Sequence, residues 1–176
     1  MVQPRLFLSP STQEYNPYIN GGNEEYYTNL IADAMEPYLF ENGVSVTRND
    51  PEGTVRDSVR MSNAGDYDLH LAIHSNAAPE SLAGQIQGPD VYYYQGSAAG
   101  RRAAEIYAEN LARIYPDPSK VNIIPTTSLY ELRETRAPAV LIELAYHDNL
   151  EDANWIKNNI DAIAENLALA TLEYFR

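Results

Sequence analysis

Apolar residues in this chain fall in short runs, separated by polar stretches rich in turn formers. Residues 5–9 (RLFLS) are an apolar run that stops at Pro10, the pattern of a buried strand. Residues 11–23 are rich in Ser, Asn, Gly, Pro and Tyr and read as a loop. From about 24 to 41, Ile31, Met35 and Leu39 recur every four residues and predict a helix. Asn23 is its expected N-cap, and Gly43 its stop. Residues 44–48 alternate like a strand, and 51–63 predict a second helix. Residues 68–74 (DLHLAIH) and 91–95 (VYYYQ) predict two more strands. Between 97 and 115, Ala104, Tyr107, Leu111 and Ile114 share one side of a helix. Residues 121–132 are mixed and predict an edge strand. Residues 139–146 (AVLIELAY) form the most continuous apolar run, as expected of a central strand covered on both faces. Residues 150–175 close the chain with one or two helices.

Strands alternating with helices predict an α/β fold. The expectation is a single domain over 1–176. Its central sheet is mostly parallel and twisted, with about six strands and helices on both faces. Ligands of such sheets gather beyond the carboxyl ends of the strands. Those ends are where chemistry is sought.

Charge then narrows the partners. The formal net charge is -13. That excludes a nucleic-acid partner, because counterion release needs clustered Lys and Arg. No stretch approaches the roughly 20 apolar residues needed to cross a bilayer, so no membrane insertion is expected. The chain has no cysteine, which removes disulfides and thiolate metal sites. No basic region followed by an apolar run opens the sequence, so no signal peptide is expected.

His74 ends one predicted strand, and Glu143 lies near the end of the most buried one. A buried carboxylate must be paired, hydrogen-bonded or at a metal. An ion pair of Glu143 with Arg133 or Arg136 is the structural alternative. All three histidines, His70, His74 and His147, fall in these two segments. His70 and His74 share one strand face by the two-residue period. Such clustering suits a metal-dependent hydrolase, with three protein ligands, a water and a nearby Glu as base.

The chain resembles the zinc-dependent N-acetylmuramoyl-L-alanine amidases of the amidase_3 group, wall hydrolases of bacteria and phages that include autolysins and endolysins. The resemblance runs in order along nearly the whole chain. It is carried by Leu8-Ser9-Pro10-Ser11, Glu24-Glu25 with Asn29 to Ala32, and Val46-Thr47-Arg48 with Arg60 and Asn63. Residues 68–77, 89–94 and 132–149 continue it, the last holding Leu132-Arg133, Pro138 to Tyr146 and Asn149. It implies cleavage of the amide between N-acetylmuramic acid and L-alanine of peptidoglycan, by a water activated at Zn2+. His74 matches a metal ligand and Glu143 the catalytic Glu. Glu25 matches the Glu ligand by its spacing to Leu30, with Glu24 as the alternative register. Asn76 and Arg133 match residues near the substrate cleft.

One motif departs from the family. Its usual opening places a metal-binding His where this chain has Thr12, within Ser9-Pro10-Ser11-Thr12-Gln13. His147 is the expected replacement, because it follows Glu143 closely and imidazole suits zinc. Gln13, His70, a two-residue site and no metal are the alternatives. The resemblance implies action at the cell wall, with targeting by a separate wall-binding module or partner and export by a fusion partner, a pore or lysis. The competing expectation is a catalytically impaired module that binds wall fragments or a regulatory partner.

Overall fold

Alternation along the strands decides which layer each residue joins. The computed structural model describes residues 3–176; Met1 and Val2 lie outside the described residues. The elements are β1 (Arg5–Pro10), α1 (Glu24–Glu41), β2 (Ser45–Arg48), α2 (Val55–Asn63), β3 (Leu69–Asn76), β4 (Asp90–Tyr94), α3 (Ala98–Ala112), β5 (Asn122–Thr126), α4 (Tyr130–Glu134), β6 (Ala139–Tyr146), α5 (Leu150–Asn158) and α6 (Ile160–Tyr174). The six strands form one sheet in the order β2-β1-β3-β6-β4-β5. This is the single α/β domain that the alternation predicts.

The sheet is mostly parallel, with one reversal. β1, β2, β3 and β6 run together, β4 is antiparallel to β6, and β5 is parallel to β4. β3 and β6 are therefore central, and their carboxyl ends lie side by side. Leu6, Leu8, Leu69, Leu71, Ile73, Val140 and Ile142 enter the large core. There they meet Ile31, Met35 and Leu39 of α1, Leu111 of α3 and Leu167 of α6. Each such side chain contributes about 1.5–3 kcal/mol on burial. The opposite face is thinner. Ala72, Ala139 and Leu141 pack there with Leu132 of α4. His70, His74 and Glu143 lie on this thin face by the same alternation, paired in register as His70 with Ala139 and His74 with Glu143.

α1 starts and stops where its local chemistry dictates. The Asn23 side chain accepts from the Tyr26 amide at the N-terminus. At the other end Gly43 adopts a φ of 77°, Val44 N–H donates to Leu39 O, and Gly43 N–H donates to Phe40 O. That is a Schellman stop, which a side chain at Gly43 would strain. The short helix α4 is absent from the sequence expectation, which placed only an edge strand in this region.

Candidate active site

Three segments meet beyond the ends of β1, β3 and β6: the loop 11–23, the first turn of α1, and α4. His74, at the end of β3, is held from two sides. Its Nδ1 lies 2.9 Å from Glu24 Oε1, and its Nε2 lies 3.3 Å from Glu131 Oε2. Glu24 Oε1 also accepts from the Ser75 amide, and Glu24 Oε2 accepts from Asn16 at 2.7 Å. Glu131 Oε1 accepts from His70 Nε2 at 2.9 Å and from the Ser9 hydroxyl at 2.5 Å. Ser62 Oγ sits 2.9 Å from the remaining His70 nitrogen. Glu24, His70, His74 and Glu131 are all buried.

The electrostatics follow from that burial. For His74, burial alone would lower the pKa, but hydrogen bonds to Glu131 and Glu24 outweigh it and raise the imidazole well above its usual value. Burial would raise Glu24 and Glu131, yet the histidines beside them hold both carboxyls below the usual range. Glu143 has no such partner. Burial pushes it up to about 7; His74 opposes the rise, while Glu24, Asp90 and Glu131 add to it. Its Oε2 atom is buried without a hydrogen bond. A group poised near neutrality suits proton transfer in both directions.

Several predicted site residues lie elsewhere. Glu24, not Glu25, reaches His74. The cap at Asn23 makes these the first two residues of the helix, about 100° apart on its surface. Glu25 instead lines a cleft of about 490 Å³ with Thr12, Gln13, Glu14 and Glu52, clear of His74 and Glu143. Burial, then Glu14 and Glu52, raises its pKa.

His147 is also displaced, for a traceable reason. A bulge shifts the β3–β6 register from His74 opposite Glu143 to Asn76 opposite Tyr146. The extra residue puts both Leu144 and Ala145 in the large core and reverses the alternation beyond them. His147 therefore turns to the α1 side. Its Nδ1 meets Ser75 Oγ at 2.9 Å, and its ring stacks on Tyr18, whose hydroxyl donates to the same Ser75 oxygen. Burial lowers its pKa. The histidine fastens loop 11–23 to the strand ends, and its carbonyl accepts from Ile19 N–H.

His70 is no free ligand either, since both ring nitrogens are engaged and the ring stacks on Phe7. Gln13 stands one step from the site, because Asn16 donates to both Gln13 Oε1 and Glu24 Oε2. Asn76 donates to Asp90, the register partner of Glu143, and so lies at the rim. Arg133 points outward to pair with Glu134. It lines a separate cavity with Arg136, Pro138 and Ala139, at the start of β6. That is four residues from Glu143, or roughly 13 Å of strand. Glu131, which holds both central histidines, was missed altogether. Its only sequence signal is a carboxylate beside the apolar Leu132.

The donor set suits a divalent metal ion in its chemistry. Glu24 Oε1 and His74 Nδ1 are adjacent, buried and of the right ligand types. Glu24, Asp90, Glu131 and Glu143 outnumber the two imidazoles among them, so the pocket favours added positive charge. The unpartnered Glu143 oxygen points the same way. Glu24 and His74 are the residues that would hold such an ion. Among the described residues, no three His, Cys, Asp or Glu side chains converge on one metal position. Two protein ligands of these types are therefore what the fold presents.

The family model for N-acetylmuramoyl-L-alanine amidase (Amidase_3) matches residues 12–172. The chain is 27% identical over 186 aligned positions to the N-acetylmuramoyl-L-alanine amidase LytC of Bacillus subtilis (strain 168), covering all of this chain and 36% of LytC. It therefore spans about a third of that relative. It is 25% identical to the germination-specific N-acetylmuramoyl-L-alanine amidase of the same organism, over 86% of this chain and 70% of the relative. The fold matches that of the N-acetylmuramoyl-L-alanine amidase AmiC2 of Nostoc punctiforme, with a TM-score of 0.86 at 19% identity, over 99% of this chain and 98% of the other.

Proposed function

The chain belongs to the Amidase_3 family of N-acetylmuramoyl-L-alanine amidases, and we propose that it hydrolyses the amide bond between N-acetylmuramic acid and L-alanine in peptidoglycan. The observation that carries this reading is Glu143: a carboxyl near neutral pKa, with an unpartnered oxygen, in register with His74 at the strand ends. Zn2+, held by Glu24 and His74, would supply an electrophile for the amide carbonyl and acidify a bound water. The Glu143 carboxylate takes the proton of the attacking water and returns it to the L-alanine nitrogen as the C–N bond breaks. Loop 11–23 orders one wall of the site through Asn16. Asn76 lies at its rim. Arg133 faces away and is not assigned to the substrate. Action is at the cell wall, and no helix among the described residues is long and apolar enough to cross a membrane. A separate wall-binding module or partner would supply targeting.

Purified peptidoglycan, treated with the zinc-loaded protein, should release new L-alanine amino groups without new sugar reducing ends. Thorough chelation should stop this release. Undiminished activity under chelation would overturn the zinc role, and reducing ends without amines would overturn the amidase reading. A second reading rests on the two-ligand site and on His74 being engaged at both nitrogens. It makes the chain a wall-fragment or partner-binding module without catalysis. Zinc uptake with no muropeptide product would favour it.

A further inference from the structure

Glu131 is 3% exposed and sits on a helix of only five residues. A carboxylate in such a place must be satisfied, and this one is. Ser9 and His70 serve Oε1, while His74 Nε2 meets Oε2. A carboxylate only accepts hydrogen bonds, so without a metal both His74 nitrogens donate, Nε2 to Glu131 and Nδ1 to Glu24. His70 is itself pinned by Ser62 and by the Phe7 ring. The carboxylate is thus fixed from behind before it touches His74.

We infer that Glu131 is a positioning residue that fixes the ring of His74 through Nε2, so that Nδ1 is the atom offered to a metal beside Glu24. The inference rests on the proposed reading of Glu24 and His74 as the metal-holding pair. Its logic is that of an outer carboxylate, which orients a histidine ligand and raises its basicity. His70 and Ser9 hold the carboxylate, and α4 delivers it from the thin face of the sheet. The same arrangement explains a polar group beside Leu132 in that layer.

The test uses the full chain and three proteins: the parent, Glu131→Gln, which keeps the shape, and Glu131→Leu, which removes the acceptor. Zinc affinity is measured by competition with a chromophoric chelator. Long-range proton–nitrogen correlation of the His74 ring is recorded with and without zinc. The parent should show His74 protonated at Nε2 when zinc is bound. Glu131→Gln should weaken zinc binding by about 10- to 100-fold and move the His74 ring nitrogen signals, even though it folds. If Glu131→Leu does not fold, Glu131→Gln decides the matter alone. Variants that are less stable but keep parental zinc affinity and parental His74 signals would overturn the inference. Lack of muropeptide cleavage by a zinc-binding parent would overturn the amidase reading, while Glu131 is judged on zinc affinity and ring signals.

Discussion

Replacing Glu143 by Gln removes a charge that the fold holds at a disadvantage. The folded carboxyl sits at about 7 against an ordinary 4.5. Between those values the folded chain keeps a proton that the unfolded chain has lost. Stability therefore falls as pH rises through this window, and levels off above the folded pKa. A gap of this size corresponds to about 3 kcal/mol in full; solvent screening at the partly exposed residue brings it to about 2 kcal/mol. Gln mimics the protonated form and has no such slope. In chelator, Glu143→Gln should match the parent near about pH 4 and exceed its unfolding free energy by about 2 kcal/mol near about pH 8. Urea denaturation followed by circular dichroism at both pH values measures the difference. The same variant should lose hydrolysis by about 10²- to 10⁴-fold, the usual share of general acid–base catalysis. An equal stability difference at both pH values would refute the burial argument, and full activity would refute the proton-transfer role.

Four further substitutions separate neighbouring residues. Glu24→Gln should remove most zinc uptake while Glu25→Gln leaves it unchanged, as read by metal analysis after dialysis; the reverse would put the helix in the other register. His147→Ala should keep the parental zinc content yet lower the unfolding free energy by about 3 kcal/mol, since it removes a buried ring stacked on Tyr18 and leaves the Ser75 hydroxyl with Tyr18 alone. Loss of zinc at unchanged stability would restore His147 as a ligand. Asn23→Ala should cost about 1 kcal/mol from the lost cap, measured by thermal unfolding. It should also weaken zinc binding, because Glu24 is the next residue; parental affinity would show that the cap does not set the position of Glu24.

Much of this could be read from the chain, and the failures have physical causes. The runs at 5–9, 68–74 and 139–146 are strands because β-branched and apolar residues there fill a face of the sheet. The direction of β4 was not legible: Val91 to Tyr94 reads alike in either sense, and only pairing with β6 fixes it. α4 was not legible because five residues cannot hold a helix by propensity, and Leu132 packing on the sheet stabilises it instead. His74 and Glu143 stood out as polar groups in buried strands. The choice between Glu24 and Glu25 depended on one cap, and the fate of His147 on one bulge. Neither leaves a mark in a two- or four-residue pattern.

Glu131 was hidden for a deeper reason. A carboxylate next to a leucine looks like any helix surface until its partners are known, and its partners are 61 and 122 residues away. Yet those contacts govern the behaviour of Glu143. His70 and His74 are shared between Glu131 and Glu24, which leaves Glu143 without a cation of its own. Burial then drives it toward protonation. A metal ion beside Glu24 and His74 would add the missing positive charge and draw that proton away. The destabilising carboxyl and the proton-transferring carboxyl are thus one group, raised first by burial and then by the surplus of carboxylates that makes the site receptive to metal.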